Sequence, residues 1–309
     1  MNILYLLLLV ILFFLLGKSA DLLIEGIKTL GTKLRINTIY LGFLLGLITT
    51  TPEIFIGINA FSQGIPSVTY GNLIGGVVVL LGFIMGINII FSRGIKITYE
   101  FNISILTLLA LFFILPIAFM WNGSINQLEA LILIISYLVL AIIFFNSSSK
   151  TISVKSRKTD ATLKHSLIIT LIGLVGVIIF SKYIITVTLI LLDYLMIPKF
   201  MLGVVVFSLG TNLPELIIVF ESWKRKLKGI AIGNIIGSTM ANVLVIGLFS
   251  LIKPAQITIN QDFYVFASIY FIIIALFILF AKTGKRLKII EGVILLSFYI
   301  FFLIFEFLF

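Results

Sequence analysis

The 309-residue sequence predicts an all-α integral membrane protein with ten transmembrane helices in two inverted five-helix repeats. Helices 2 and 7 are expected to be discontinuous at mid-membrane, and helices 3 and 8 as well. Three observations carry this fold class. Composition comes first: 61% of the residues are hydrophobic, 11% are charged and the mean hydropathy is +1.27, too apolar for a water-soluble domain. Second, apolar runs of about 20 residues, the length a bilayer core requires, alternate with short basic loops. Third, Thr49-Thr50-Thr51-Pro52-Glu53 returns as Thr211-Asn212-Leu213-Pro214-Glu215, and Gly71-Asn72-Leu73-Ile74-Gly75 as Gly233-Asn234-Ile235-Ile236-Gly237, both at an offset of 162 residues. One offset held from Thr49 to Gly75 without an insertion marks a duplicated unit.

Taken in chain order, the spans are predicted near residues 2–31, 37–62, 69–91, 100–120, 127–146, 165–193, 199–222, 229–252, 262–281 and 288–308. The first run, 3–16, has no basic residue before it and no small-residue cleavage pattern after it, so it reads as a membrane helix and not as a removed signal peptide. Spans 1 and 6 are long enough to require strong tilt. The first repeat is assigned to residues 1–146, a short basic linker to 147–164, and the second repeat to 165–309.

Of the 22 basic residues, eighteen fall in the loops after spans 1, 3, 5, 7 and 9, and only Lys199 and Lys253 in the loops after the even spans. The positive-inside rule then makes the odd loops and the linker cytoplasmic, with both termini outside the cell membrane. Lys18 and Lys182 fall within long helices and are expected to snorkel. Because a repeat of five spans is odd, its second copy enters the membrane from the opposite side. Inversion brings equivalent segments together at the midplane, where many secondary transporters build their site.

Proline has no N–H and clashes with the carbonyl four residues earlier, so Pro52 frees the carbonyl of Ile48, and Pro214 that of Gly210. Such breaks persist at mid-membrane only where protein, water or an ion satisfies the freed groups. A hydroxyl or amide just before each proline suits a helix restart. Glu53 and Glu215 stand in the first turn after the breaks, with no lysine or arginine at similar depth. A carboxylate there costs roughly 2.5–3.5 kcal/mol and faces a cavity and a partner. Two of them would repel unless a cation is shared between them or one is protonated. A hard cation held by carboxylate, hydroxyl, amide and backbone oxygens resolves both problems.

In spans 3 and 8, Asn72 and Asn234 are expected either as oxygen ligands or as interhelical hydrogen-bonding groups, while Gly75-Gly76 and Gly237-Ser238 permit close backbone approach. Asn242 lies one turn beyond Ser238 on the same face and is a further candidate ligand. The matching positions of the first repeat, Gly76 and Leu80, carry no side-chain oxygen, so the site is asymmetric.

Other classes fare worse. The net charge of +10 lies in short loops, so no nucleic acid is implied, and the absence of cysteine removes disulfides and thiolate metal sites. There is no His-Glu-x-x-His motif and no catalytic cysteine, which argues against an enzyme. A channel could line its pore with acids, but paired inverted breaks favour alternating access.

At these residues the chain resembles the alpha repeats of the sodium/calcium exchanger family, prokaryotic type, within the cation/calcium antiporter superfamily. The family pattern Gly-Thr-Ser-x-Pro-Glu followed by Gly-Asn-x-x-Gly-Ser is closely met by Gly210–Glu215 and Gly233–Ser238, and more loosely by Ile48–Glu53 and Gly71–Gly76. The segment Gly17-Lys18-Ser19-Ala20-Asp21-Leu22-Leu23, then Gly26, is similar to the family's first helix. The resemblance implies an antiporter that exchanges calcium for sodium, with spans 1 and 6 moving. It implies Glu53 and Glu215 as central cation ligands, aided by Thr49, Thr50, Thr211 and Asn212, with Ser238 and Asn242 as further ligands. The chain departs from the pattern at Gly76, Leu80 and Asn212, and the alternative is a proton-coupled exchanger of calcium or another cation on the same fold. The expected partners are the transported cations and the lipid bilayer, with no cofactor and no protein partner inferred.

Overall fold

The computed structural model describes residues 2–33, 38–96, 103–146, 163–195, 199–224, 228–283 and 286–308, nearly all of them helical. Long apolar runs set the two longest helices, α1 (Asn2–Lys33, 32 residues) and α8 (Leu163–Leu195, 33 residues), which pack along one another. Each is about 48 Å long at 1.5 Å per residue, well beyond the roughly 30 Å hydrocarbon core. Within this pair Ser19 of α1 sits directly against Gly176 of α8, where no larger residue fits.

Span 2 is two helices, α2 (Thr38–Thr49) and α3 (Thr51–Ser62), separated at Thr50. Span 3 runs from α4 (Pro66–Val78) through a π-helical stretch, Val79–Ile84, into α5 (Met85–Phe91). After strand β1 (Ile95–Lys96) come α6 (Ile103–Met120), β2 (Ser124–Ile125) and α7 (Gln127–Asn146). In the second half α8 is followed by span 7, made of α9 (Lys199–Leu202), a π-helical stretch Gly203–Phe207, α10 (Ser208–Thr211) and α11 (Leu213–Lys224). Then follow α12 (Lys228–Ile252), β3 (Ala255–Gln256), α13 (Gln261–Thr283), β4 (Arg286–Leu287) and α14 (Ile289–Leu308). Among the described residues seven helical runs are long and apolar enough to cross a membrane, and three shorter apolar runs stand at the predicted spans 1, 4 and 5. The linker 147–164 lies outside the described residues except for Leu163 and Lys164.

The two small ribbons reveal the inversion. β1, after span 3, pairs antiparallel with β4, after span 9 (Ile95 opposite Leu287); β2, after span 4, pairs with β3, after span 8 (Ser124 opposite Gln256). Loops of equal parity therefore meet, and the equivalent loops 3 and 8 belong to different ribbons, as a two-fold axis in the membrane plane requires. Helix starts obey the same offset. Glu129 Oε2 accepts from the Asn126 N–H at 2.8 Å, and Glu291 Oε2 from the Lys288 N–H at 2.6 Å, so both glutamates cap the starts of their helices, α7 and α14.

The expected breaks in spans 3 and 8 are not present. α12 is a single helix of 25 residues, and span 3 stays helical through its π-helical stretch. Neither stretch contains an internal proline to remove a donor, and the glycines bring backbones together, as their small size predicts. A Cβ on Gly42 would lie 2.5 Å from the Ile230 oxygen, one on Gly237 2.6 Å from the Phe43 oxygen, and one on Gly75 2.5 Å from the Val204 oxygen. Thus α2 of the first repeat lies against α12 of the second, and span 7 ahead of its break lies against α4. These crossings bury spans 3 and 8 most deeply among the membrane-length helices, with 83% and 78% of an 18-residue apolar stretch inside the protein against 19% for α8. The interlocked centre is distinct from the peripheral α1–α8 pair.

Gly46→Val would drive a Cβ into the Ser238 nitrogen and to within 2.6 Å of the Asn234 oxygen. Overpacking of this kind costs about 1–3 kcal/mol or more, so a clear fall in melting temperature in detergent is expected. Gly17→Ala, whose Cβ would have Leu213 Cβ at 3.8 Å, should melt like the parent protein. Equal melting temperatures for the two variants would contradict the backbone contact.

Candidate functional site

All ten residues singled out from the sequence, Thr49, Thr50, Glu53, Asn72, Thr211, Asn212, Glu215, Asn234, Ser238 and Asn242, are at most 1% exposed. They gather where the breaks of spans 2 and 7 meet spans 3 and 8. At the breaks Thr50 has φ −74° and ψ 0°, and Asn212 φ −87° and ψ 11°. This is the bridge region in which a helix stops without reversing direction. Their side chains do not cap the following helix as expected. Thr50 Oγ1 donates back to the Gly46 carbonyl at 2.8 Å, and Asn212 Nδ2 donates to the Ser208 carbonyl at 2.8 Å. Each of these i−4 carbonyls also accepts the break residue's own N–H at 3.3 Å, so side chain and backbone share one acceptor. The Ile48 carbonyl freed by Pro52 accepts from Thr51 Oγ1 at 2.5 Å; Leu213 at the matching place has no hydroxyl to offer Gly210.

Two hydrogen bonds related by the pseudo-two-fold axis join the repeats. Thr211 Oγ1 donates to Asn72 Oδ1 at 3.2 Å, and Asn234 Nδ2 donates to Thr49 Oγ1 at 3.4 Å. Both asparagines therefore act as interhelical hydrogen-bonding groups, and Asn234 still keeps its oxygen free. The hydroxyls of Thr211 and Thr49 also face the carboxyls of Glu53 and Glu215, and the two carboxyls are near enough to act on one another electrostatically. Among the described residues neither carboxyl forms a salt bridge.

Around Ser238 the oxygens crowd. Its Oγ lies 3.1 Å from Glu215 Oε1, 3.1 Å from Thr49 Oγ1 and 3.3 Å from the Gly46 carbonyl. Thr49 Oγ1 also lies 3.0 Å from the same carbonyl, and the Thr50 hydroxyl and the Asn234 amide donate into the group as well.

Among the described residues ten buried side-chain polar atoms lack a hydrogen-bond partner, and seven of them belong to this site. Five are acceptors: Glu53 Oε2, Glu215 Oε2, Asn212 Oδ1, Asn234 Oδ1 and Asn242 Oδ1. Unsatisfied buried acceptors cost about 1–3 kcal/mol each and more when charged, so their concentration here is a feature that folding alone does not explain. Carboxylate, amide, hydroxyl and carbonyl oxygens are the donor set of a hard cation.

The sequence reading missed two contributors. One is the Gly46 carbonyl, which meets three hydroxyls; its position four residues before the break was the available signal. The other is Phe13 of α1, whose ring lies directly on Gly210 and edge-on to Phe207 at 6.0 Å between centroids. Nothing in the duplicated motif points to it.

The family model described as "Sodium/calcium exchanger protein" matches residues 4–146 and 165–308. The chain is 25% identical over 286 residues, 91% of each chain, to the uncharacterized membrane protein MJ0091 of Methanocaldococcus jannaschii. It is 31% identical over 130 residues to the sodium/calcium exchanger MaX1 of Methanosarcina acetivorans, covering 42% of this chain and 37% of that one. A solved structure of the sodium-calcium exchanger NCX_Mj, soaked with 100 mM Na+ and 10 mM Sr2+, superposes with a TM-score of 0.71 at 22% identity, covering 98% of this chain and 99% of the other. At that identity the likeness shows the fold.

The cross-repeat bonds carry their own test. Interhelical hydrogen bonds in membranes average about 0.6 kcal/mol, so Thr211→Val and Asn72→Leu should be non-additive by about 0.5–1 kcal/mol in a thermal double-mutant cycle. Strict additivity would remove the Thr211–Asn72 bond from this account.

Proposed function

The chain belongs to the sodium/calcium exchanger family, whose members are membrane transporters and not enzymes, and from that premise we propose that it exchanges calcium for sodium at the site between Glu53 and Glu215. The observation that carries the proposal is the pair of buried, unbridged carboxyls with unsatisfied oxygens gathered around them. Calcium is drawn to both carboxylates; Thr49, Thr50, Thr211, Asn212, Ser238, Asn242, Asn234 and Asn72 complete or brace its shell. Sodium ions compete for the same oxygens. Because the site holds one set or the other, occupancy by either permits the switch between inward and outward access, and the fluxes are coupled. No cofactor takes part.

The moving part in this reading is the α1–α8 pair, which packs mainly on itself and reaches the centre through contacts such as Phe13 on Gly210. The basic loops orient the protein with the linker 147–164 in the cytoplasm and both termini outside the cell membrane. The two repeats, 1–146 and 165–309, supply one break and one carboxylate each.

A second reading replaces sodium by protons, and one observation favours it. Gly76 and Leu80 stand where Ser238 and Asn242 stand in the other repeat, so the first half of the site has fewer side-chain oxygens for a monovalent cation. In that scheme protonation of the same carboxyls discharges the empty site.

Calcium-45 uptake into proteoliposomes, driven by an outward sodium gradient in one set and an outward proton gradient in another, separates the two schemes. Sodium-driven uptake is expected; uptake driven by protons alone would sink the sodium assignment, and uptake without any counter-ion gradient would indicate a channel. Glu53→Gln and Glu215→Gln should each lower uptake at least about a hundredfold, since each removes a central charge at the site. Ser238→Ala should be milder, roughly tenfold, as carboxylate and backbone oxygens remain. Full activity in either glutamine variant would exclude that residue from the mechanism.

A further inference from the structure

We propose that Gly76 sets the ion preference of the site by admitting the Asn242 side chain from the opposite repeat, an inference that rests on the exchanger reading above. The two-fold relation makes Ser238 the counterpart of Gly76, and Asn242 the counterpart of Leu80. On the Glu215 side Ser238 supplies its own hydroxyl, 3.1 Å from the carboxyl oxygen. On the Glu53 side no such group exists, and the room it would need is already filled. A Cβ on Gly76 would run into Asn242 Nδ2 and lie 3.3 Å from Asn212 Nδ2 and 3.5 Å from Asn242 Cγ.

Asn242 is 1% exposed, and neither its nitrogen nor its oxygen has a hydrogen-bond partner. No hydrogen bond holds its side chain, which lies in the space that Gly76 leaves. Leu80, fully buried, offers no polar group from the first repeat in return.

The substitution changes the chemistry of one half of the site. A hydroxyl presents its oxygen whichever way its hydrogen turns, whereas a carboxamide presents one oxygen and one NH2 group that repels a cation. The two halves thus differ: hydroxyls of Ser238 and Thr49 with the Gly46 carbonyl flank Glu215, while carboxamides of Asn242 and Asn212 fill the space beside Gly76. Asn212 is held by its bond to the Ser208 carbonyl, which occupies its NH2 and leaves only Oδ1 free, and Thr211 donates its proton to Asn72. A divalent ion drawn by both carboxylates tolerates fewer neutral oxygens than a monovalent one, which depends on them for most of its shell. The Gly76–Asn242 pair therefore biases the protein toward calcium and lowers its capacity for sodium as the counter-ion.

The test is a four-member cycle of parent, Gly76→Ser, Asn242→Ala and Gly76→Ser/Asn242→Ala, read as melting temperature in detergent and as calcium-45 uptake driven by sodium or by protons. Gly76→Ser alone should melt lower and lose roughly tenfold or more of its uptake, because its side chain collides with the Asn242 amide. Asn242→Ala in the same chain should restore the melting temperature and lift uptake above that of Gly76→Ser, though not to the parent's level, because the Asn242 oxygen is lost. In that double variant the ratio of sodium-driven to proton-driven uptake should rise about threefold or more above the parent, since a hydroxyl has replaced the amide. The proposal is overturned if Gly76→Ser behaves like the parent, if the double variant melts no higher than Gly76→Ser, or if its uptake returns with the parent's ratio. Should the parent carry no calcium at all, the exchanger reading fails while the melting cycle still decides whether the two residues share one space.

Discussion

Two carboxyls buried at the contact of inverted repeats, with no basic residue among the described ones bridged to them, are the constraint around which the rest is arranged. Glu53 and Glu215 come from opposite halves of the chain and are fully enclosed. In a low-dielectric interior, like charges this close are strongly unfavourable without a compensating charge. The breaks at Thr50 and Asn212, the hydroxyls beside them and the backbone approach of α2 to α12 all place oxygens around that pair. Each also removes something a stable helix bundle normally keeps, such as a continuous hydrogen-bond ladder or a satisfied amide.

The remainder of the fold makes such a centre tolerable. Glycine-mediated crossings tie each broken span to an unbroken one of the other repeat, so the discontinuous backbone is enclosed by protein and not by lipid. The ribbons β1–β4 and β2–β3 tie the repeats again at the two ends of the bundle. By contrast α1 and α8 lie outside this lock, packed chiefly on one another. A rigid centre beside a separately packed helix pair is an architecture in which one part can move without dismantling the other.

Much of this was legible in the letters. The spans, their order and the 162-residue offset follow from apolar run length and literal repetition, and Pro52 and Pro214 mark the breaks because proline acts locally. The breaks expected in spans 3 and 8 had no proline behind them, and without one these spans stay helical. The Gly46 carbonyl escaped because a backbone oxygen has no letter of its own. Asn242 was recognised as a candidate ligand, yet its intrusion on Gly76 depends on a distance across the two-fold relation. Phe13 over Gly210 was hidden for the same reason.

The central claim is that the enclosed carboxyls hold the transported cation, and anomalous diffraction from crystals soaked in strontium tests it most directly. The account predicts a peak between Glu53 and Glu215, within about 2.3–2.7 Å of oxygens from both, as expected for a large divalent ion on oxygen ligands. A peak bound elsewhere in the protein, with none between the two glutamates at saturating strontium, would contradict it.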